Sequence, residues 1–426
     1  MNKFERYYKA VNFLESLSNL PLQGDYMTDT HHADVYIKRM RYFLNLLGNP
    51  DKDFKFIHIA GTAGKGTVTN MVHEILLASG KKVGSFTSPS VTTSIEKIKV
   101  KDKYISPDEF VGIVDYLKPF INKTYVNGPY GRVSYFEIFL AIAMVYFKRQ
   151  KCDWVILEVG LGGRYDATNV IRKPIITAIT NIDYDHIELL GKTLKKIAYD
   201  KAGIIKRGSV FFTTEQRRSL LKIFDEICRG KNVPMHGLVK QSNFQKHNKE
   251  LATALVRYIG INDKYIKEGI KNAHLACRFE VVQKKPLVVL DGAHNRSKIK
   301  TTIDNLKKLK FKKLYLIIGI ADNKDHLSIL KQLIPQSDFI FFTRFQFQNK
   351  DRKCAHPKEL LVKSRQYFKK GAKSKIYLDP ENALSNAMQL AKSDDLILIA
   401  GSFFLAGELR KRWYPEDFIL KWRKSF

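Results

Sequence analysis

The chain has 426 residues, 44% of them hydrophobic, so it can bury two sizeable cores, and we expect two or three domains. Its formal net charge of +31 predicts anionic partners, but the lysines and arginines are scattered rather than gathered into a tail, which argues against nucleic acid. The chain begins without a signal-peptide pattern and its longest apolar stretch, near residues 138–147, is too short to span a bilayer, so we expect a cytoplasmic protein without membrane contacts.

The first strong signal is an apolar strand at residues 56–60 that runs into a turn with the sequence Gly61-Thr62-Ala63-Gly64-Lys65-Gly66-Thr67. Glycines let backbone N–H groups approach a phosphate, Lys65 supplies a charge for the β- and γ-phosphates, and the Thr67 hydroxyl can ligate Mg²⁺. A helix predicted at residues 68–79 would direct its N-terminus at that phosphate. The alternative is an ordinary glycine-rich turn between a strand and a helix.

The rest of the chain alternates strand and helix signals. The first part contains a strand at 83–86, a helix at 137–149 opened by a Ser134–Glu137 capping box, buried strands at 154–157 and 175–179, and helices at 219–228 and 250–258. From Pro286 onward, strands are predicted at 287–290, 314–318, 339–342, 375–378 and 396–399, with helices at 297–309, 325–333, 357–368 and 381–391. This pattern predicts an α/β protein: a P-loop-type ATPase domain with a parallel-rich sheet (residues 1–283) and a C-terminal Rossmann-like α/β domain (residues 284–426).

Two further polar segments follow predicted strands, at the sheet edge where open α/β sheets bind ligands. The first runs from Glu158 to Asn169 and is rich in glycine, so Glu158 could hold a metal while substrate approaches the backbone. The second, Thr180–His186, carries Asp183, Asp185 and a histidine that could ligate the same metal. Taken alone, Glu158 could equally be a surface charge and His186 a loop histidine that pairs with a carboxylate.

These segments together resemble the folylpolyglutamate synthase and dihydrofolate synthase family of the Mur ligase superfamily. The matching motifs are G-T-x-G-K-G-[ST] at residues 61–67, E-V-G-L-G-G-R-x-D-A-T-N at 158–169, D-G-A-H-N at 291–295 and G-S-x-x-x-x-G-E at 401–408. The resemblance covers about residues 35–410. Two positions depart from it: Ala63 stands where the family has Asn, and Ser90 where it has His.

The resemblance implies an ATP-dependent amide ligase that adds L-glutamate to a folate carboxylate through an acyl phosphate, with dihydropteroate as a further acceptor. It also implies two Mg²⁺ ions and a lysine, Lys201, that is carbamylated by CO₂; without the family, Lys201 would read as one lysine of a basic helix face. We expect a monomer that acts on small-molecule substrates. Two alternatives stay open: a ligase of the superfamily that uses a non-folate carboxylate, suggested by Ala63 and Ser90, and a basic nucleic-acid-binding NTPase.

The resemblance assigns roles residue by residue. The catalytic residues would be Lys65, Glu158, His186 and Lys201. The nucleotide would be bound by Gly61, Thr62, Gly64, Lys65, Gly66, Thr67, Asn248, Arg278, Asp291 and His294. The metal ligands would be Thr67, Ser88, Glu158, His186 and the carbamate of Lys201. The folate or pterin would contact Ser134, Tyr135, Phe136, Glu137, Tyr165, Asp166 and Ala167.

Overall fold

The computed structural model describes residues 3–17, 34–239, 244–346 and 353–426. The chain divides into two compact units. The first takes the described residues up to Ser90, then Ser94–His274 and Leu420–Lys424, and the second takes Val91–Thr93, Leu275–Ile419 and Ser425–Phe426. The division after His274 lies upstream of the domain boundary predicted at 283/284. The reason is that the strand Glu280–Lys284 pairs with the strand Leu287–Leu290 and so belongs to the second sheet.

The first unit is built on a sheet that is mostly parallel. Its described strands are β1 Lys55–Ala60, β2 Val83–Phe86, β3 Ile98–Val100, β4 Lys103–Tyr104, β5 Trp154–Glu158, β6 Pro174–Ile179, β7 Val210–Thr213 and β8 Met235–Gly237. They lie in the order β4-β3-β2-β5-β1-β6-β7-β8. β1 is central and pairs in parallel with both β5 and β6. Among the described strands, only the edge pairs β2–β3 and β3–β4 are antiparallel.

Helices surround this sheet. Those described are α1 Glu5–Ser16, α2 Asp34–Leu46, α3 Lys65–Ala78, α4 Pro107–Asn127, α5 Tyr135–Arg149, α6 Ile187–Leu190, α7 Leu194–Lys201, α8 Arg218–Lys231, α9 Phe244–Tyr258 and α10 Asp263–Asn272. One core joins Ile57 and Ile59 of β1 to Val72 of α3 and Leu255 of α9, so α3 and α9 cover the same part of the sheet. No helix in the described part of the chain combines the length and the apolar character needed to cross a membrane.

Two local features of the first unit bear on the predicted site. α3 starts at Lys65 rather than at the predicted residue 68, because Gly64 adopts a left-handed conformation (φ 85°) and turns the chain directly into the helix. The predicted capping box of α5 is confirmed: Ser134 Oγ accepts from Glu137 N at 3.3 Å, and Glu137 Oε2 accepts from Ser134 N at 2.6 Å. The same carboxylate pairs with Arg39 Nε at 3.0 Å, and both side chains are buried. This pair therefore ties α2 to the start of α5.

The second unit is a separate α/β layer structure. Its described strands are β9 Glu280–Lys284, β10 Leu287–Leu290, β11 Leu314–Ile318, β12 Phe339–Phe342, β13 Lys373–Ile376 and β14 Leu396–Ala400, in the order β13-β12-β11-β14-β10-β9. Its helices are α11 Arg296–Leu306, α12 His326–Leu333, α13 Pro357–Ser364, α14 Pro380–Leu390 and α15 Phe403–Arg410, and α16 Glu416–Trp422 follows near the end of the chain. The strands from β10 onward pair in parallel and only β9, among those described, runs antiparallel. The prediction of two α/β units, the second Rossmann-like, is confirmed.

The start of α4 generates a stability prediction. Ser106 Oγ accepts from Glu109 N at 3.2 Å, and the Glu109 carboxylate accepts from Ser106 in return. We expect Ser106→Ala to lower the free energy of unfolding by about 1 kcal/mol, because α4 loses its cap, and Ser106→Thr to retain most of it. Urea unfolding followed by circular dichroism measures both variants. Equal midpoints for the two variants would show that this cap does not stabilise the unit.

Candidate functional site

Three neighbouring strands of the first sheet end at one edge, and each is followed by a segment with candidate chemistry. β1 leads into the glycine-rich loop, β5 ends at Glu158, and β6 leads into residues 180–186. The register pairs Ile59 with Glu158 and Ala60 with Ile179, so the strand ends are level with one another. The predicted juxtaposition of these segments thus follows from parallel pairing on both sides of β1.

The glycine-rich loop is held in place by the segment after β6. Thr62 N donates to Asn181 O, and Ala63 N donates to Asn181 Oδ1, each at 2.9 Å. The Thr62 hydroxyl donates to Asp183 O at 3.1 Å and accepts from Asp183 N at 2.9 Å, while Thr180 Oγ1 donates to Ala63 O at 2.6 Å. The loop conformation is therefore fixed by protein contacts. Sequence reasoning assigned no role to Thr180 or Asn181, although both lie directly after a buried strand.

Two glycines of the loop have steric reasons to be glycine. A Cβ atom at position 61 would lie 1.8 Å from Thr180 Oγ1, and one at position 64 would lie 2.4 Å from Asn248 Oδ1. Gly61 and Gly64 also have positive φ values of 141° and 85°. The close approach places Asn248 of α9, which is itself buried, against the loop. Lys65 Nζ donates back to Gly61 O at 3.1 Å, so the predicted phosphate-binding lysine lies over its own loop.

Glu158 lies beside the first turn of α3. Only 6% of the residue is exposed, and its Oε2 accepts from Ser88 N at 3.2 Å. A Cβ atom at position 66 would lie 3.1 Å from the same oxygen, so Gly66 leaves room for this carboxylate next to Thr67. The carboxylate of Glu158 and the hydroxyls of Ser88 and Thr67 are oxygen donors of the kind that Mg²⁺ accepts, and they fit the predicted metal. The described residues contain no group of three or more His, Cys, Asp or Glu side chains that could hold a metal ion. The predicted ligands would not form such a group, because most of them are hydroxyls and a carbamate.

Lys201, at the end of α7, is buried with 4% of its surface exposed. The pKa of its amine is lowered to about 7, mainly by burial and also by the charge of Lys65, while Asp185, Asp200 and Asp166 oppose the shift. Glycine at position 163 is required by this packing, since a Cβ there would lie 2.7 Å from Lys201 O. The structure thus separates Lys201 from the solvated lysines of the chain and places it within electrostatic range of Lys65.

His186 occupies a different environment. It has a left-handed backbone (φ 49°) at the start of α6, and 37% of its side chain is exposed. Its Nε2 lies 3.8 Å from Asp185 Oδ1, the carboxylate that also interacts with Lys201. His186 follows β6, as do Asn181 and Asp183, which hold the glycine-rich loop. Its role as a metal ligand stays a prediction.

A buried hydrogen-bonded chain that sequence reasoning missed supports the segment after β5. Asp166 Oδ2 accepts from Leu161 N at 2.9 Å, and Oδ1 accepts from both the backbone N–H and the hydroxyl of Thr168. His58 Nε2 lies 2.8 Å from that hydroxyl oxygen, and because the hydroxyl proton goes to Asp166, His58 must be the donor. Burial lowers the pKa of His58 to about 3 and raises the pKa of Asp166. Asp166 thus shapes the glycine-rich turn after Glu158.

The predicted folate residues divide into two groups. Ser134 and Glu137 use their polar groups in the capping box, and Asp166 caps the short turn that begins at Ala167. Phe136 packs against Phe86, with ring centroids 5.5 Å apart, Tyr135 accepts from Lys97 Nζ at 2.9 Å, and Tyr165 borders a cavity of about 450 Å³. These contacts give each residue a place in the fold, and a role in folate binding stays a prediction.

The remaining predicted nucleotide residues form a group within the second unit. Gly292 N donates to Cys277 O at 2.8 Å, which brings the turn after β10 against the turn that carries Arg278. Asp291 is buried, which raises its pKa, and accepts from Thr302 Oγ1 at 2.6 Å. His294 Nδ1 donates to Gly292 O at 2.8 Å, which leaves Nε2 as an acceptor for Lys298 Nζ at 3.1 Å. Arg278, Asp291 and His294 therefore lie on adjoining turns of this unit.

The loop geometry predicts different outcomes at two glycines of similar conformation. Gly64 (φ 85°) and Gly80 (φ 79°), at opposite ends of α3, would each suffer backbone strain of roughly 1–2 kcal/mol if changed to alanine. Only the methyl group of an alanine at position 64 would collide with Asn248, since nothing lies within 4 Å of a Cβ at position 80. We expect Gly64→Ala to weaken ATP binding about tenfold or more, because loop N–H groups would be displaced, and Gly80→Ala to leave it unchanged. Calorimetric titration with ATP checks this, and equal affinities for the two variants would contradict it.

Comparisons with known proteins agree with this architecture. The family described as "Mur ligase, glutamate ligase domain" matches residues 277–403. The Bacillus subtilis protein named dihydrofolate synthase/folylpolyglutamate synthase is 29% identical over 414 residues, which are 88% of this chain and 94% of that protein. The crystal structure of a folylpolyglutamate synthase from Thermotoga maritima has a TM-score of 0.79 at 28% identity and covers 98% of this chain and 100% of its own. Escherichia coli FolC in complex with ADP has a TM-score of 0.80 at 25% identity, with 95% of this chain and 97% of its own covered. The chain is therefore similar over most of its length to proteins named folylpolyglutamate synthase and dihydrofolate synthase, and its residues 277–403 match the glutamate ligase domain of the Mur ligases.

Proposed function

We propose that this chain is an ATP-dependent ligase that joins the amino group of L-glutamate to a carboxylate of a folate, with dihydropteroate as a further acceptor. One observation supports the proposal most strongly: three adjacent strand ends gather a fixed glycine-rich loop, the buried carboxylate Glu158 and the segment that contains Asp185. The buried amine of Lys201 lies within electrostatic range of that group. The names of the relatives, which are folate ligases, point to the same substrate class.

In the first step, an oxygen of the acceptor carboxylate attacks the γ-phosphorus of ATP, the bond to the β-phosphate oxygen breaks, and ADP leaves behind an acyl phosphate. The task of the protein is to neutralise clustered negative charge and to align the attack. The N-terminus of α3 and Lys65 are suited to that task because the loop that leads into them is held in place before the nucleotide arrives: Ala63 N donates to Asn181, and Lys65 Nζ donates to Gly61 O.

A divalent cation would be held by Thr67, Ser88 and Glu158, whose donors adjoin the loop. Such an ion supplies charge neutralisation at the β- and γ-phosphates when it is bound. Glu158 is prepared for this role by its burial and by the N–H of Ser88, which donates to Oε2. His186, in the segment after β6, would be a further ligand to this cation.

In the second step, the neutral amine of glutamate attacks the acyl carbon and forms a tetrahedral intermediate. The carbon–oxygen bond to the phosphate then breaks, inorganic phosphate leaves, and the amine nitrogen loses a proton as the amide forms. The N-terminus of α3 and Lys65 would remain next to the leaving phosphate. The same loop therefore serves both steps.

We further propose that Lys201 carries a carbamate. CO₂ adds to the neutral form of an amine, and the new N–C bond forms with the loss of one proton from nitrogen. Burial of Lys201 favours the neutral amine, and the adjacent charge of Lys65 favours an anion over an ammonium group at this position. The carbamate oxygens would add an anionic ligand to the metal set.

A ligation assay tests the function. Purified protein with ATP, Mg²⁺ and L-glutamate is offered tetrahydrofolate or dihydropteroate, and mass spectrometry measures product with one added glutamate. We expect Lys65→Ala to reduce turnover by about a hundredfold or more, because the γ-phosphate loses its fixed cation, with an unchanged thermal midpoint. The control is Lys81→Ala, which removes an exposed lysine just beyond α3. Absence of product from the wild-type protein with both acceptors would contradict the folate assignment, and full activity of Lys65→Ala would contradict the site.

The carbamate has its own test. We expect Lys201→Ala to lack measurable ligation and to regain part of it with a short exogenous carboxylate such as formate, because an anion is then restored beside the metal. Lys195→Ala, in the same helix but exposed, serves as the control. Wild-type protein in ¹³C-labelled bicarbonate should show a carbamate carbon resonance that the Lys201→Ala variant lacks. The same resonance in both proteins would exclude Lys201 as its source.

A further inference from the structure

The turn that carries Arg278 has an unusual backbone. Cys277 and Phe279, on either side of Arg278, have positive φ values of 54° and 52°. Neither is glycine, and side chains with a Cβ atom rarely adopt this region without support from their surroundings. Contacts within the second unit must therefore hold residues 277–279 in this conformation.

The support comes from a buried ion pair. Glu280 Oε2 accepts from Cys277 N at 2.8 Å, so the carboxylate fixes the start of the turn. Arg410 donates hydrogen bonds to the same carboxylate. Its Nε lies 3.0 and 2.9 Å from the two oxygens, and its Nη2 lies 2.8 Å from Oε1. The exposed side-chain fractions are 0% for Arg410 and 6% for Glu280. Arg410 is itself fixed, because it also donates to Ser425 O and lies 4.2 Å over the ring of Tyr414.

Arg278 is free to bind an anion. Within the described part of the chain its guanidinium donates no hydrogen bond, and Nη1 is buried without a partner. Asp291 interacts with it electrostatically. The guanidinium lies 4.6 Å over the ring of Phe403, and a Cβ at position 292 would come within 3.1 Å of Nη1. The group is thus positioned by packing rather than by hydrogen bonds, which leaves donors for a ligand.

Helix α15 contacts this turn at both of its ends. Phe403, its first residue, supports the Arg278 guanidinium, and Arg410, its last residue, holds Glu280. We propose that the Glu280–Arg410 pair is a positioning device: it maintains the strained turn so that Arg278 meets a phosphate of the nucleotide. The inference rests on the proposed function and on the role of nucleotide ligand that the sequence resemblance assigns to Arg278. Glu280 and Arg410 would be positioning residues that do not touch the substrate.

A purely structural pair would join β9 to α15 and affect stability alone. The two roles differ in their coupling to Arg278. If the pair acts through Arg278, its disruption should weaken nucleotide binding in the wild-type background but have no further effect once Arg278 has been removed. If the pair is only structural, the effects of the two substitutions on binding should be independent.

The test measures the affinity of the full-length protein for Mg²⁺ and a non-hydrolysable ATP analogue by calorimetry. The variants are Arg410→Lys, Arg278→Ala and their combination, with Glu280→Gln as a second probe of the pair should Arg410→Lys not fold. We expect Arg410→Lys and Arg278→Ala each to weaken binding by about tenfold, the order expected for one charge-assisted hydrogen bond to phosphate. The double variant should bind no more weakly than Arg278→Ala, and KM for glutamate should stay unchanged.

The chain offers a matched control in Arg41, which also grips a carboxylate with two nitrogens, Nη1 and Nη2 at 3.1 and 2.7 Å from Asp51, and donates to a backbone carbonyl. Arg41→Lys should lower the thermal midpoint without weakening nucleotide binding. Unchanged affinity in Arg410→Lys, or a double variant in which the two losses multiply, would overturn the positioning role. A wild-type protein that binds the analogue but ligates no acceptor would instead contradict the proposed function. The affinities of the variants for the analogue would still decide whether the Glu280–Arg410 pair positions Arg278.

Discussion

Parallel pairing of β1 with β5 on one side and with β6 on the other is the constraint on which the site of the first unit depends. Because the carboxyl ends of parallel neighbours lie at one edge, segments separated by about a hundred residues meet without any long loop. Ile59 opposite Glu158 and Ala60 opposite Ile179 set the level at which they meet. A slip in either register would move Glu158 or the Asn181 segment away from the phosphate loop, so the chemistry is tied to the core of the sheet.

Within that frame, polar contacts fix the loop before any ligand is bound. Asn181 holds two consecutive N–H groups of the loop, and the hydroxyl of Thr62 both donates to and accepts from Asp183. Fixed dipoles and charges stabilise developing charge without reorganisation, which is the electrostatic form of catalysis that phosphoryl transfer needs. A positive charge on Lys201 would be repelled by the ammonium group of Lys65, whereas a carbamate at Lys201 would be attracted to it. The charge of Lys65 would therefore also favour the proposed modification.

Local sequence patterns predicted much of this arrangement. Apolar runs located β5 and β6, and the polar residues directly after them located Glu158 and the 180–186 segment. The supports of the site were not predictable in this way, because they join distant residues: Arg39 to Glu137 across 98 positions, His58 to Thr168 across 110, and Glu280 to Arg410 across 130. No periodicity or spacing links such pairs. The start of α3 was also missed, since it depends on the left-handed conformation of Gly64 rather than on an apolar pattern.

In the proposed reaction, the site transfers the γ-phosphoryl group of ATP to a carboxylate of the acceptor. The most direct measurement uses an acceptor whose reacting carboxylate carries ¹⁸O, with ATP and L-glutamate, and analyses the released phosphate by mass spectrometry. An acyl phosphate transfers one labelled oxygen from the carboxylate to inorganic phosphate when the amine displaces it, so we predict one ¹⁸O in the phosphate for each amide formed. Amide product accompanied by unlabelled phosphate, or by AMP and pyrophosphate, would contradict the mechanism.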